Sequence, residues 1–161
     1  MVNYFMLNLI DVTEMLASKL DLSYNRFEDD EITLTLDGRK SAYELTVMLG
    51  HGCDVIYFSC DMNLTVPKKR KNAVINAIIK ANEQMWIGHF DFISSQDKIF
   101  YSISIPFTSS FLADEMIVEA TLKAIIGECD RFYHYFLALV NNNMPNNMSI
   151  EALFIESAGE A

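Results

Sequence analysis

The sequence contains few of the residues on which common cofactor and metal sites depend. Among 161 residues there are six glycines, and they form neither a Gly-x-Gly-x-x-Gly run nor a Walker-type loop. The three cysteines, Cys53, Cys60 and Cys129, form no Cys-x-x-Cys pair, and an odd number cannot pair completely into disulfides. His51 beside Cys53 adds one more ligand, which is too few for zinc. We therefore expect no cofactor, no metal ion and a reducing, cytoplasmic location.

Long apolar runs and positive charges are also scarce. No stretch of about 18 consecutive apolar residues occurs, so the sequence predicts no transmembrane span. The first ten residues contain no Lys or Arg and lead into a helical pattern, which is not typical of a signal peptide. Lys and Arg number 12 against 22 Asp and Glu, giving a net charge of −10 that repels phosphate backbones and anionic membranes. We expect neither nucleic acid nor a membrane among the partners.

Apolar residues, in contrast, make up 51% of the chain, which excludes intrinsic disorder as its main content. A chain of this length buries about 70% of its unfolded surface, enough for a single domain spanning residues 1–161. The sequence also holds 11 Phe, 9 Met and 7 Tyr, a rich supply for one core. Because Met and Tyr are favoured at adaptable binding surfaces, we expect part of this surface to face a partner.

The hydrophobic periodicity predicts four helices and six strands. Helical spacing predicts one helix with a capping box of Asp11 and Glu14, a second from Pro67 to about Met85, a third over about 113–141, and a short fourth. Period-two alternation predicts strands over residues 24–28, 32–36, 43–49, 55–64, 87–93 and 99–105. The order α-β-β-β-β-α-β-β-α-α indicates an α+β fold, an antiparallel sheet of about six strands packed against helices on one face. Ser149 is placed to cap the fourth helix.

One block of the chain is distinctive. The run 86–92 (Trp-Ile-Gly-His-Phe-Asp-Phe) follows Asn82-Glu83 and precedes, about forty residues on, the run 128–133 (Glu-Cys-Asp-Arg-Phe-Tyr). These motifs, in order over nearly the whole chain, resemble the YbjN-like family of bacterial sensory transduction regulators. The resemblance implies a fold similar to the type III secretion chaperones. It also implies a regulatory or adaptor role rather than an assigned reaction.

This block supplies the candidate site, a cluster that either binds a partner or is structural. Its members are Trp86, His89, Phe90, Phe132 and Tyr133. Because Trp86 and Phe90 lie at a helix-to-strand corner, we expect them to form a buried aromatic cluster that joins the second helix to the sheet. No residue is expected to be catalytic.

The last hairpin offers the one arrangement that could suggest catalysis. A turn centred near Gln96 would place His89 opposite Ser104 and Asp91 opposite Ser102. A nucleophilic serine needs a strained turn and backbone donors for an oxyanion, and a flat sheet face supplies neither. We interpret these residues as a polar, solvent-facing ladder.

The basic run 68–71 (Lys-Lys-Arg-Lys) lies at a helix N-terminus, where the helix dipole disfavours cations. We interpret it as a solvated face, with an acidic partner segment as the alternative, and expect its replacement by Gln to leave stability unchanged or slightly raised.

The sequence thus predicts a non-enzymatic cytoplasmic adaptor that binds a protein partner or client segment, and a homodimer. Two alternatives stay open. One is a small-ligand sensor with a pocket between the sheet and the long helix near Trp86 and Phe132. The other is a hydrolase that uses His89.

Overall fold

The computed structural model describes residues 9–50, 54–106 and 115–158. The elements follow the predicted order, so the α+β class is confirmed. They are α1 (Leu9–Lys19), β1 (Tyr24–Glu28), β2 (Glu31–Asp37), β3 (Ala42–Leu49), β4 (Val55–Thr65), a 3₁₀ turn (Lys68–Arg70), α2 (Lys71–Asn82), β5 (His89–Ile93), β6 (Lys98–Pro106), α3 (Glu115–Val140) and α4 (Ile150–Ala158).

The strands form one antiparallel sheet in the order β1-β2-β3-β4-β6-β5. Strands β1 to β4 form a meander, and β6 then pairs with β4 while β5 pairs with the far side of β6. In β4 the even-numbered residues are buried on one face, as the alternation predicts. They are Ile56, Phe58, Cys60, Met62 and Leu64.

Helix α3 is the main cover of this buried face. It contacts β4, β6 and the other three helices, and one stripe of its apolar side chains is fully buried. This stripe consists of Val118, Leu122, Ile125, Cys129, Phe132 and Phe136. Cys60 and Cys129 are free thiols in the core, as expected, with their sulfur atoms 3.8 Å apart. Their contact, together with burial, raises the pKa of Cys129.

A buried carboxylate ties α3 to the turn between β2 and β3. Asp130 accepts hydrogen bonds from the backbone N–H of Arg39 at 2.8 Å, the backbone N–H of Lys40 at 3.1 Å and the hydroxyl of Tyr43 at 2.8 Å. The turn can approach this closely because residue 38 is glycine: a Cβ there would lie 2.4 Å from the Tyr43 ring and 2.6 Å from Oδ1 of Asp130. The contact fixes the long helix over the sheet.

Two helix ends differ from the prediction. Asp11 lies inside α1 rather than at its N-cap, and its carboxylate and that of Glu14 instead accept hydrogen bonds from Arg26 at 2.9 and 2.6 Å. Helix α2 ends at Asn82 instead of Met85, and two of its apolar side chains, Ile75 and Ile79, are 37% and 53% exposed. The capping role of Ser149 is confirmed, since its hydroxyl accepts the N–H of Ala152 at 3.2 Å.

Candidate functional site

The corner between α2 and β5 is held by a side-chain amide. Asn82 is the last residue of α2, and its Oδ1 accepts the N–H of Phe90 at 2.8 Å while its Nδ2 donates to the C=O of Phe90 at 2.9 Å. The amide therefore forms the pair of hydrogen bonds that a neighbouring strand would form. This explains why α2 ends here and why the edge strand β5 is protected at Phe90.

Gly88 turns the chain sharply just before β5. Its φ is +66°, and a Cβ at this position would lie 2.5 Å from the hydroxyl oxygen of Tyr101 and 2.7 Å from the carbonyl oxygen of Ser102. The hydroxyl of Tyr101 donates to the carbonyl of Ile87 at 2.6 Å, and burial raises the pKa of that hydroxyl. Only glycine fits this turn, which directs residues 86 and 87 away from the core.

Phe90 and Phe132 lie together in an aromatic cluster of the core. The Phe90 ring centroid is 5.1 Å from that of Tyr101, 4.8 Å from that of Phe132 and 5.0 Å from that of Phe136. All four side chains are fully buried, so Phe90 joins β5 to α3 rather than facing a partner. Tyr133 lies elsewhere: it is half-buried and contacts the Tyr43 ring edge-on at 6.1 Å.

Trp86 is fully exposed, so the prediction that it is buried beside Phe90 is wrong. Its side chain is 100% exposed and that of the adjacent Ile87 is 60% exposed. The physical reason is the turn at Gly88, which separates the two aromatic residues: Phe90 enters the core from the strand, whereas Trp86 stays outside it. The exposed residue of this motif is therefore the tryptophan.

The pairing of the last hairpin also differs from the prediction. His89 lies opposite Ser102 and Asp91 opposite Phe100, a shift of two residues along β6. The loop 94–97 explains the shift, since Asp97 takes a left-handed conformation at φ 55° and β6 then begins at Lys98. Such a shift keeps each side chain on its predicted face of the sheet, but Ser102, interpreted as solvent-facing, is fully buried beneath Tyr57.

His89 has a carboxylate partner but no serine. Its Nε2 lies 3.0 Å from Oδ2 of Asp91 on the same strand. The hydroxyl of Ser102 is fully buried and accepts a hydrogen bond from the hydroxyl of Tyr57 at 2.9 Å. Because the described contacts include none between the His89 imidazole and the Ser102 hydroxyl, the arrangement does not supply the general base that a serine nucleophile needs.

A cavity of about 590 Å³ opens between α3, β6 and the Gly88 turn. This volume lies within the range of ligand-binding pockets, and the lining is mostly apolar. The lining residues are Trp86, Ile87, Gly88, His89, Ile103, Ser104, Ile105, Ile117, Ala120, Thr121 and Ala124. The Thr121 hydroxyl is held by the carbonyl of Ile117 at 2.7 Å within α3, so few polar groups are directed into this larger cavity.

A smaller cavity of about 430 Å³ lies on the other side of Trp86. It is more polar, because the ion pair of Glu128 and Arg131 lines it. The Arg131 guanidinium stacks 4.7 Å from the Phe154 ring centroid, which holds α4 against α3. Burial raises the pKa of Glu128, and the neighbouring guanidinium opposes this rise.

The two cavities are adjacent, because Trp86, Ile87 and Ala124 line both. Along α3 their lining extends from Ile117 to Arg131, which is about 21 Å at the helical rise. We call the surface formed by the two cavities the Trp86 groove. The predicted pocket between the sheet and the long helix lies here, beside Trp86, although Phe132 lines neither cavity.

A family model described as "Putative bacterial sensory transduction regulator", the YbjN model, matches residues 10–138. The chain belongs to the YbjN family.

Several solved structures are similar to this YbjN-family chain, and two of them are as follows. The crystal structure of YbjN, "a putative transcription regulator from E. coli", has a TM-score of 0.55 at 12% identity, covering 78% of this chain and 92% of that one. A chain of the ExsC–ExsE complex has a TM-score of 0.49 at 13% identity, covering 75% of this chain and 87% of that one. No curated protein matches the sequence significantly. At this identity the likeness to YbjN concerns the fold alone.

The basic run of this YbjN-family chain is only partly a solvated face. Lys68 and Lys69 are exposed, as expected. Arg70 instead donates from Nε to the carbonyl of Leu139 at 2.7 Å, near the negative end of α3, and Lys71 lies 2.6 Å from the Asp97 carboxylate. These contacts offset the unfavourable position of the cations at the start of α2.

Among residues 9–50, 54–106 and 115–158, no three His, Cys, Asp or Glu side chains lie close enough to hold a metal ion, and no helix combines the length and apolarity needed to span a bilayer. His51 and Cys53 lie outside these ranges.

Sequence reasoning missed Asn82 and the groove-facing residues of α3. A signal for the latter exists, because Ile117, Ala120 and Ala124 form a second stripe of apolar or small residues one position away from the core stripe. A helix with two apolar stripes has two faces to cover. No comparable pattern identifies Asn82, whose role depends on how the chain returns to it eight residues later.

Proposed function

We propose that this YbjN-family chain is a non-enzymatic regulatory adaptor that binds a protein partner or client segment through the Trp86 groove. The observation that carries the proposal is the full exposure of its single tryptophan at the groove. Ile87, which also lines the groove, adds an apolar side chain that is 60% exposed. Exposed apolar patches are characteristic of interaction sites, and Trp is enriched among the residues that dominate binding energy.

Three further points of the proposal have support of their own. The family's description as a regulator, and the separation of His89 from the Ser102 hydroxyl, support a role without catalysis. The free thiols of Cys60 and Cys129 support a reducing, cytoplasmic location. Exposed apolar residues away from the groove, such as Ile75 and Ile79 one turn apart on α2, support a homodimer as the working state.

Site-specific photo-crosslinking tests the groove directly. A benzoylphenylalanine replaces Trp86 in one variant and Phe27 in a control, since Phe27 is 60% exposed on the distant strand β1. We expect one protein from the native host to crosslink to position 86 and not to position 27. With that partner purified, Trp86→Ala should weaken binding about tenfold or more. Equal crosslinking at both positions, or a purified pair that does not bind, contradicts the proposal.

A second candidate function, sensing of a small ligand, is favoured by the larger cavity of about 590 Å³. A ligand that binds the folded state stabilises it by RT ln(1 + [L]/Kd) and so raises the unfolding temperature as the ligand concentration rises. Protein-free small-molecule extract of the host should then raise the melting temperature and change the fluorescence of Trp86, which is the only tryptophan. Under the adaptor proposal the extract changes neither, whereas the purified protein partner changes both.

A further inference from the structure

We infer that the partner segment binds as an extended strand that pairs with the open edge of β6 beside the larger cavity, with apolar side chains at alternate positions. The inference rests on the proposed function and specifies the partner's conformation and pattern. Three observations support it: β5 is shorter than β6, the N–H and C=O of Ser104 face the open edge of β6, and the larger cavity lies beside that edge.

Strand β5 covers only the first half of β6. The pairing of β5 with β6 runs from Ile93 opposite Lys98 to His89 opposite Ser102. Strand β6 continues to Pro106, and over residues 103–106 it pairs with β4 on one side only. In the ranges that the structure describes, no strand pairs with the other side of this stretch. About 13 Å of strand edge is therefore open at four residues of rise.

The alternation of the ladder shows which backbone groups face this open edge. The N–H and C=O of Phe90 are directed outward to Asn82, so Phe90 and Tyr101 form a pair without mutual hydrogen bonds. The next pair, His89 and Ser102, is then the hydrogen-bonded kind. Two residues further along β6, the N–H and C=O of Ser104 point in the same direction as those of Ser102. The N–H and C=O of Ser104 therefore face the open edge of β6, beyond the last residue that pairs with β5.

The outer edge of β5 and the open edge of β6 therefore differ in whether their backbone N–H and C=O groups are already bonded, and this difference selects one docking position. At β5 the side chain of Asn82 occupies the outward N–H and C=O of Phe90. At β6 the described residues provide no such cap for Ser104, and this residue is exposed. Protected edges exclude added strands, whereas open edges accept them. An extended segment can add at Ser104 and not at Phe90.

The side chains flanking Ser104 define the pattern of the segment. Ile103 and Ile105 line the larger cavity on the same face of the sheet as α3. In an antiparallel pair, the residues opposite them project onto that face and enter the cavity, while the residue opposite Ser104 projects to the outer face. That outer face carries Tyr57, Ser59 and Ser102. The expected pattern is apolar, polar, apolar.

A second copy of the chain fits this edge poorly. If two β6 strands paired about Ser104, residue 106 of the copy would lie opposite Ser102, where His89 already pairs. Each copy would thus collide with the start of the other's β5. The occupant is a segment of a different protein that is free to extend.

Labelled pentapeptides with apolar residues at positions 3 and 5 and polar residues elsewhere serve as the probe, because with position 4 opposite Ser104 a sixth residue would lie opposite Ser102, where His89 already pairs. The best binder of this set is measured by fluorescence anisotropy, and then resynthesised with a methyl group on one backbone nitrogen. Methylation at position 4 removes the N–H that bonds to the C=O of Ser104, whereas methylation at position 3 blocks an N–H that points away from β6. We expect about a tenfold loss of affinity for the first and a change within about twofold for the second.

Protein variants provide the complementary arm. Ser104→Pro removes the edge N–H, and Ser104→Ala keeps it, so only the proline variant should lose peptide binding. Circular dichroism checks that each variant folds, and the methylated peptides test the pairing on the unchanged protein if the proline variant does not.

Any one of the following outcomes overturns the inference. If no peptide binds below about 1 mM, or if both methylated peptides bind alike, the strand pairing is absent. If Trp86→Ala abolishes binding of the crosslinked partner while Ser104→Pro does not, the groove binds by side chains alone and the proposed function stands without this inference. If Ser104→Pro dissociates a homodimer, the occupant is a second copy of the chain.

Discussion

At the scale of single residues, the side chain of Asn82 has the most specific role in the corner motif. It closes the outer edge of β5 by bonding both backbone groups of Phe90, and this fixes where α2 ends and where β5 begins. The backbone turn at Gly88 then determines which aromatic residue is buried. The corner motif thus has separable parts, with Asn82, Gly88 and Phe90 supporting the fold and Trp86 facing outward.

We expect Asn82→Ala to lower the free energy of unfolding by about 1–3 kcal/mol, because it leaves the N–H and C=O of Phe90 without their partner. Asn76→Ala is the matched control, since Asn76 is an exposed asparagine of the same helix and its replacement should change stability by less than about 0.5 kcal/mol. Urea denaturation measures both. Equal losses for the two variants would show that the amide bonds contribute nothing specific.

Trp86 and Phe90 should respond oppositely to truncation. Phe90→Ala removes a ring packed against three others in the core and should cost about 3–5 kcal/mol in urea denaturation. Trp86→Ala removes a fully exposed ring and should cost less than about 0.5 kcal/mol. A loss above about 2 kcal/mol for Trp86→Ala would mean that this ring packs within the chain rather than at a partner.

At the scale of elements, α3 is held over the sheet by its apolar stripe and by Asp130. Burial raises the pKa of this carboxyl, but the Arg39 and Lys40 N–H groups and the Tyr43 hydroxyl outweigh burial and lower it overall. Tyr43 itself has a raised pKa because of burial and the carboxylate beside it. The tether therefore needs a charged Asp130 and a neutral Tyr43, which is the state at neutral pH.

The hydrogen bonds that Asp130 accepts predict that the folded chain loses stability in acid. Because the folded pKa of Asp130 lies below its unfolded value near 4, its contribution is complete above that pH and is lost as the pH falls through the folded pKa. Asp130→Asn should cost about 1.5–3 kcal/mol at pH 7 and should flatten the acid side of the stability curve. Asp37→Asn, at an exposed position on β2, is the control. Parallel curves for Asp130→Asn and the unchanged protein would contradict this role.

The elements themselves were largely predictable, and the corner was not. The strand patterns of β1 to β4 gave their bounds within about one residue, because alternation against a single covered face is a local property of the chain. The exposure of Trp86 depends on the φ of Gly88, and the hairpin register depends on the conformation of Asp97. The groove depends on how α3 sits over β6. None of these three features can be read from the hydrophobic alternation of the chain.

At the scale of the whole molecule, the proposed homodimer can be tested by sedimentation. On α3 the side chains of Tyr133, Tyr135 and Leu139 are partly buried within the chain itself. The apolar pair Ile75 and Ile79 on α2 is the better candidate interface. At tens of micromolar we expect twice the 18.4 kDa chain mass, and Ile79→Lys should return the single mass. Sedimentation at 18.4 kDa only would reject the dimer.

Charge over the whole molecule makes nucleic acid an unfavourable partner. The net charge is −10, and of the one dense basic run only Lys68 and Lys69 are free of the internal contacts that hold Arg70 and Lys71. Two exposed lysines release few counterions, so a labelled duplex at about 100 mM salt should show no submicromolar Kd. Replacing both lysines by Gln should leave stability unchanged or slightly raised, since two like charges leave the positive end of α2. Arg70→Gln should instead lower stability by about 1 kcal/mol through the lost bond to Leu139. Submicromolar duplex binding that Lys69→Glu abolishes would establish a nucleic-acid site at this run and replace the adaptor function with a different one.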